Sequence, residues 1–431
     1  MYVVLIPLLL VVFIALLIWG KIERQWISLA IAFILILLGA VSIDEIFTYV
    51  DWDVLGLILG VSILTVYLEK SGFAEVIARH MVRLSKGSTY LLIFLISLVA
   101  GLISILMENV SVVVLLFPIV YNICRSLGTD PIIPTIMLAL SANIAGSATM
   151  IGDPPAILTA GAFKLTFTDF IIYRGKPSMF FFTLISMILA ITVTSIISSR
   201  KINIKPSIPN NKNGISLSID KPFLVEAIVF LTIKIILLSL RHALHIPFSL
   251  TAAVAVGGIT IARIIHRDTN SVVYAFKHGF EWKLLLFLIG VFVLSSAFEK
   301  HGIAYIFAEE LVWIFKDNLM ALVSSLLYLM VILSSVIDNV PLTMTMIPVV
   351  KKISELLLLN PVVIMWSVLI GITLGGNLTY MGASANVTAI RLLEKQGHNV
   401  SFTDFIKISI VYNTVSVVSA WILYIIFYII L

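Results

Sequence analysis

Long apolar runs, each about the length of a bilayer crossing, alternate with short polar connectors along almost the whole chain. They lie at roughly 2–20, 26–43, 52–68, 131–163, 177–199, 222–240, 247–265, 282–298, 361–393 and 407–431. Two further apolar stretches, 89–124 and 319–350, are each interrupted near the middle by a polar tip, Glu108-Asn109 and Asp338-Asn339. The longest polar piece, 200–221, is rich in Lys, Asn, Ser and Pro and reads as a linker without a fold of its own. The first run follows Met1 with no basic n-region and no small-residue cleavage pattern before Lys21, so it reads as a retained span.

The runs repeat. At an offset of 230 the chain matches itself without a gap for about a hundred residues. Trp52 meets Trp282, Gly60-Val61 meets Gly290-Val291, Glu69-Lys70 meets Glu299-Lys300, and Asn109-Val110 meets Asn339-Val340. Pro118 meets Pro348, and Gly146, Thr149 and Gly152 meet Gly376, Thr379 and Gly382. After a five-residue slip, Phe167-Thr168-Asp169-Phe170 returns as Phe402-Thr403-Asp404-Phe405. Matches on Gly, Pro, Asn and Trp are not what chance similarity between Leu/Ile/Val-rich helices produces. An odd number of spans separates the starts of the two copies, so they have opposite topology. The domain reading follows: N-terminal scaffold spans over 1–51, repeat 1 over 52–199, the linker 200–221, scaffold spans over 222–281, and repeat 2 over 282–431.

Charge sets the orientation. Placing the connectors near 21–25, 69–88, 125, 200–221, 263–283 and 391–407 on one side gives that side 19 Lys and Arg, against eight on the other. The positive-inside rule then puts the linker in the cytoplasm and both termini outside. Composition agrees with a membrane protein: 60% of the 431 residues are apolar, 12% are charged and mean hydropathy is +1.13. That leaves too few charges to make a water-facing surface for an ordinary soluble enzyme. Cys124 is the single cysteine, which excludes an intrachain disulfide and a Cys-based metal site. The base is dispersed among connectors, which excludes a nucleic-acid partner. Neither a phosphate-binding G-x-x-x-x-G-K-[ST] nor H-E-x-x-H occurs, and no pattern supports an enzyme.

Inverted repeats with matched broken segments point to an alternating-access transporter. The interrupted stretches 89–124 and 319–350 read as re-entrant helical hairpins. The runs Asn143 to Pro155 and Gly375 to Asn386 read as helix breaks, with Gly146, Gly152, Pro154, Pro155, Gly375, Gly376 and Gly382 interrupting helices 131–163 and 361–393. Unwound backbone at membrane depth is tolerated where it lines a protein-enclosed cavity. Glu108, Asp153 and Asp338 sit in these breaks. Burial makes their charged forms costly, which makes each a candidate proton carrier. Asn109, Asn143, Ser147, Thr149, Asn339, Asn377, Thr379 and Asn386 are candidate ligands for a solute or a cation. No Lys or Arg lies in any of the four polar loops, which disfavours an unaided polyanion. Glu108 and Asp338 have an alternative role as caps of the returning arms, and Asp153 as an ordinary turn residue. Its repeat partner is Ala383, so whatever it does is asymmetric.

Lys234, inside the 222–240 span, is read as snorkelling or pairing with a helix-end acid. His242 and His245 are read as interfacial, and the Glu69-Lys70 and Glu299-Lys300 pairs as a solvated helix surface.

At Glu108-Asn109-Val110 through Pro118, Gly146 to Pro155, Asp338-Asn339-Val340-Pro341 through Pro348 and Gly375 to Asn386 the chain resembles the ion-transporter superfamily. That group contains the ArsB-type arsenite permeases, NhaD-type sodium/proton antiporters, the P-protein group and sodium–dicarboxylate carriers. The resemblance runs from about Trp26 onward and is nearest the arsenite and P-protein branch. The dicarboxylate branch carries Ser-Asn-Thr at both tips, where this chain has Glu-Asn-Val and Asp-Asn-Val. The resemblance implies a scaffold and a transport domain, elevator-like movement and a homodimer. It implies that hairpin tips and broken-helix loops form the ion and substrate sites.

The expectation is therefore an all-α polytopic inverted-repeat transporter of the plasma membrane, with two re-entrant hairpins and two broken helices. It exports a small inorganic solute such as arsenite or antimonite by proton exchange. Sodium/proton antiport, sodium-coupled anion or dicarboxylate uptake, and a passive channel are the alternatives. No cofactor or resident metal is expected. H⁺ is the coupling ion, or Na⁺ held at the same loops. An ATPase partner would leave no mark in this sequence.

Overall fold

The computed structural model describes residues 2–73, 76, 88–199, 220–316 and 318–431, so most of the connector 69–88 and the linker up to residue 219 lie outside the described residues. Helices α1 (Tyr2–Trp19), α2 (Arg24–Leu37), α3 (Ile43–Tyr49) and α4 (Trp52–Lys70) lead into a hairpin of α5 (Thr89–Ser104) and α6 (Asn109–Leu127). A broken pair follows, α7 (Ile132–Gly146) and α8 (Pro154–Ala162). Next comes a small antiparallel ladder, β1 (Ile172–Tyr173) with β2 (Lys176–Pro177), and then α9 (Met179–Ser199). The second half comprises α10 (Lys221–Leu244), α11 (Phe248–Ile265), α12 (Thr269–Gly279), α13 (Trp282–Lys300) and α14 (Ile303–Phe315). It continues with the hairpin α15 (Leu319–Ser334) and α16 (Asn339–Leu357), the broken pair α17 (Pro361–Gly375) and α18 (Ser384–Lys395), and α19 (Phe402–Ile425).

The repeat governs element bounds almost to the residue. Helices α4 and α13 start at Trp52 and Trp282, and the hairpin arms run 89–104 and 109–127 in one half, 319–334 and 339–357 in the other. The second halves of the broken pairs start at 154 and 384. Local chemistry explains why. Ser88 and Asn318 cap the outer arms, and Glu108 and Asp338 cap the inner arms. Gly128 and Leu358, both left-handed, end the inner arms.

The halves interlock. Helix α2 packs on α13, and α11 packs on α4. A Cβ on Gly60 would lie 2.3 Å from the Cβ of Ala252, and one on Gly290 would lie 2.6 Å from the Cβ of Ser28. Only glycine lets these helix pairs approach so closely. The two contacts are equivalent and reciprocal, as an isologous two-fold relation requires. They also bring α2 into register with α11 at an offset of 224, so that Arg24 and Phe248 both open their helices.

Seven helices among the described residues are long and apolar enough to cross a membrane; the outer hairpin arms, the inner arm α6 and the first halves of the broken pairs are shorter apolar helices. The structure departs from the sequence reading in three places. The run 26–43 is not one span: α2 ends at Leu37, and Ser42 starts the short α3 with a capping box to Glu45. Lys234 neither snorkels nor pairs. It lies on the buried face of α10 with Phe223, Ala227, Leu231 and Leu238, 1% exposed, and no carboxylate among the described residues reaches it. The connector lysines are engaged rather than simply solvated: Lys300 bonds Glu45 at 2.7 Å, and Lys70 sits 3.7 Å from the Tyr274 ring. His242 is exposed and contacts the Lys164 carbonyl oxygen, and His245 is the left-handed cap of α10.

Candidate functional site

Both breaks are held open by the same device. A Cβ on Gly152 would meet the Ser104 carbonyl oxygen at 2.1 Å, and one on Gly382 would meet that of Ser334 at 2.4 Å. Each hairpin tip therefore sits directly on the unwound loop of its own half. Thr149 and Thr379 pin the contact by donating to the carbonyls of Ile105 and Ser335.

The two breaks then cross each other. Asn143 donates to the Thr373 carbonyl at 3.1 Å and to Asn377 Oδ1 at 3.0 Å. Asn377 donates to the Leu140 carbonyl, and Ser147 to Thr373 Oγ1 at 3.2 Å. At the 230 offset Asn143 corresponds to Thr373 and Ser147 to Asn377, so the Asn143–Asn377 pair and the Thr373–Ser147 pair are one contact made twice. Asn109 donates to Asn143, Ser334 to Asn339, and Asn386 to Asn377 and the Gly376 carbonyl. This hub is buried.

Above it lies a small cavity of about 60 Å³. Its walls bring Glu108, Asn109, Asn143, Asp153, Pro154, Pro155, Asp338, Asn339 and Gly382 together. Ser147, Thr149, Asn377, Thr379, Asn386, Gly146, Gly152, Gly375 and Gly376 are not in the wall; they build the hub and the break behind it. Thr149 and Thr379 are pins, because their hydroxyl protons are already committed.

Five helices present their N-terminal caps to this cavity: Glu108 of α6, Asp153 of α8, Glu281 of α13, Asp338 of α16 and Ala383 of α18. Such ends normally favour anions. Here most of their donors are spent. Glu108 accepts from Ser111 N–H and Oγ–H at 2.8 and 2.9 Å, and Asp338 accepts from Val340 N–H at 3.0 Å. Pro154 and Pro155 have no N–H, and Ala156 and Ile157 N–H bond the Asp153 carbonyl. Glu108 and Asp338 are thus caps and cavity walls at once. Asp153 Oδ2 is buried with no hydrogen-bond partner among the described residues. The cavity therefore presents mainly acceptors.

The sequence profile of the citrate transporter (CitMHS) family matches residues 14–367 and 235–430. The chain belongs to the citrate transporter family. The uncharacterized transporter Rv2685 of Mycobacterium tuberculosis is 27% identical over 417 residues, covering 94% of this chain and 95% of that one. The mouse P protein is 25% identical over 445 residues, covering 85% of this chain and 53% of that protein. The fold is similar to the YdaH transporter of Alcanivorax borkumensis, with a TM-score of 0.61 at 16% identity over 94% of this chain and 98% of that one. It is also similar to Neisseria gonorrhoeae MtrF, described among antimetabolite efflux pumps, with a TM-score of 0.58 at 17% identity over 92% and 85%. The chain is a multi-pass membrane transporter, and the superfamily suggested by its hairpin tips is the right one.

In this citrate transporter family member, two charged cavity residues escape the sequence analysis. Arg24 enters from the first turn of α2, and its Nη1 lies 3.5 Å from Asp338 Oδ2. It also acts electrostatically on Glu108 and on Glu281. The four polar loops are indeed free of Lys and Arg, but the site is not free of base. Glu281 comes from the N-cap of α13 and makes no side-chain cap bond. A signal existed for Glu281: it precedes Trp282 as Asp51 precedes Trp52. None existed for Arg24, whose match to Phe248 needs the 224 offset that only packing reveals.

Proposed function

We propose that this transporter exports a small inorganic solute, arsenite or antimonite in its hydroxylated form, in exchange for protons. The observation that carries this reading is the surplus of acceptors around Asp153. Among the described residues, four carboxylates, Glu108, Asp153, Glu281 and Asp338, share a cavity with one guanidinium, Arg24, and one Asp153 oxygen has no partner. So many charges cannot stay ionised together in a partly desolvated site. A solute bringing O–H donors, or a proton taking its place, satisfies the same oxygens in turn. That mutual exclusion is what exchange requires. The residue roles follow: Asp153, Glu108 and Asp338 exchange protons, and Asn109, Asn143 and Asn339 orient the solute. The membrane potential adds about 2.3 kcal/mol per charge per 100 mV to any net charge moved. An elevator-type movement within a homodimer of the plasma membrane, both termini outside, accompanies this reading and rests on the family resemblance and the basic connectors.

The excess of carboxylates favours a second reading, sodium/proton antiport, in which Na⁺ takes the place of the solute among the same oxygens. Everted vesicles with an imposed pH gradient, offered arsenite, Na⁺ and Li⁺ in turn, distinguish the two. Concentration of arsenite against its gradient, lost in Asp153→Asn, supports the first. Accumulation of Na⁺ or Li⁺ without arsenite flux supports the second. Movement of any of them only down its gradient identifies a passive channel and overturns both.

A further inference from the structure

The tip of the second hairpin belongs to two cavities. Asp338, Asn339 and Val340 line the polar one, while Ile337 and Pro341, which flank them, line a larger one of about 360 Å³. The larger cavity lies between α1, α13 and α14 on one side and the hairpin α15–α16 on the other. Among the described residues its wall is apolar save for Thr345, whose hydroxyl already donates to the Pro341 carbonyl at 2.9 Å.

Packing explains why space is left there. The outer arm α15 packs on α17, and the inner arm α16 packs on α13 and α14, with Ser295 of α13 donating to the Met344 carbonyl at 2.6 Å. Helix α1 packs on α2 and α13 instead, and the gap between it and the hairpin is the cavity. Its opening faces lipid. Phe307 and Leu329 in the wall are 52% and 44% exposed, and their neighbours Ile306, Tyr328 and Ile332 are exposed as well. Water gains nothing from such a wall, and apolar cavities of roughly 150 Å³ already stay dry and take up apolar molecules. Left empty, the lining side chains would forgo their dispersion contacts. The apolar molecule at hand beside a bilayer-facing opening is the lipid itself. From Pro341 to Val349 the cavity follows α16 for about 12 Å, an elongated shape that suits a hydrocarbon chain.

We propose that this cavity is the binding site of one acyl chain of a phospholipid from the surrounding bilayer. The chain enters between α1 and the hairpin and backs the tip against α1 and α13. The segment that carries Asp338 and Asn339 is then supported by lipid on its apolar side, so lipid occupancy sets how freely the tip moves. The inference rests neither on proton coupling nor on which solute is carried.

The test uses the full chain in detergent, stripped of lipid and then given phosphatidylcholine with a photoreactive diazirine near the end of one acyl chain. After illumination, peptide mass spectrometry is expected to find adducts on Phe307, Leu333 and Met346. Met346→Trp fills the cavity and Leu329→Trp narrows its opening. Either variant is expected to cut these adducts about tenfold and to leave unchanged those on the exposed face of α9, at Leu189 and Val193. Adducts on α9 with none in the cavity overturn the proposal, as do equal cavity adducts in wild type and both variants. Excess dioleoylphosphatidylcholine is expected to displace the probe and dihexanoylphosphatidylcholine is not; equal displacement by both overturns the claim that a long chain is held. Hydrogen exchange across 335–341 is expected to slow about tenfold when dioleoylphosphatidylcholine is added to wild type, and to ignore it in the variants. Exchange in wild type that ignores added lipid overturns the support of the tip.

Discussion

Thr149 and Thr379, 230 positions apart, make the same bond: each donates its hydroxyl to a hairpin-tip carbonyl 44 residues earlier, Ile105 at 2.7 Å and Ser335 at 2.5 Å. Each hydroxyl oxygen also accepts an N–H two residues on, from Ile151 and Met381. Replacing either Thr by Val keeps the shape and strands a buried carbonyl, at a cost of about 1–3 kcal/mol. Thr149→Val and Thr379→Val are expected to lower the melting temperature in detergent by similar amounts, with Ser restoring most of it. A loss at one site and none at the other would show that the two pins are not equivalent.

Arg24 is the only base in the cavity wall among the described residues. Arg24→Gln leaves Glu108, Asp338 and Glu281 without positive charge nearby, and flux is expected to fall at least about tenfold while the protein still inserts. Arg24→Lys keeps the charge but not the planar fork, so partial recovery of about a third or more is expected. Vesicle uptake measured beside membrane abundance checks this. Full flux in Arg24→Gln would remove Arg24 from the mechanism.

Outside the membrane-spanning segments, Glu45 of α3 is held down to about 2 from its ordinary 4.5 by its hydrogen bond to Lys300 and by the Ser42 backbone N–H. A depressed carboxylate contributes stability that is present above pH 4.5 and is lost as pH falls towards 2. Wild type should therefore be more stable than Glu45→Gln at pH 6, with the gap closing between pH 4.5 and 2. Because the pair is exposed, added salt should shrink the gap. Thermal melts across pH and salt read both effects.

Gly161→Ala places a methyl group 2.3 Å from Val54 Cγ2 in the present state. It is expected to lower the melting temperature in detergent by loosening the α4–α8 contact, and Val54→Ala, which removes the clashing methyl group, is expected to restore part of the loss in the double variant. An unchanged melting temperature in Gly161→Ala would mean that α4 and α8 are not packed this closely. Gly152→Ala and Gly382→Ala differ in kind. There the new methyl group meets backbone carbonyls at 2.1 and 2.4 Å, so both should impair insertion or folding outright.

Much of this arrangement is legible from residues alone. The Gly, Pro, Asn and Trp matches at offset 230 predict both hairpins and both breaks because these residue types mark backbone events, which a repeated fold must repeat. The carboxylates at 108, 153 and 338 stand out because charge in an apolar run is costly. Arg24 and Glu281 stayed hidden because they lie at span ends, where charge is ordinary. Only the tertiary approach of α2 and α13 turns them into cavity wall. Thr149 and Thr379 illustrate the converse: a hydroxyl in a polar loop looks like a ligand until its proton is found bonded to a carbonyl. Lys234 looked like a snorkelling residue because the 222–240 run gives no hint of which face α11 will cover.

The reciprocal packing of α2 on α13 and α11 on α4 bears on how the chain is made. The glycine face of α4 that receives Ala252 is synthesised about 190 residues before Ala252 itself. At roughly 5–20 residues per second this is a wait of about 10–40 seconds. Through that interval Gly56 and Gly60 have no native partner, and something other than the finished protein, lipid or the insertion machinery, must cover them. Biogenesis should therefore be more sensitive than the completed molecule to substitutions on that face.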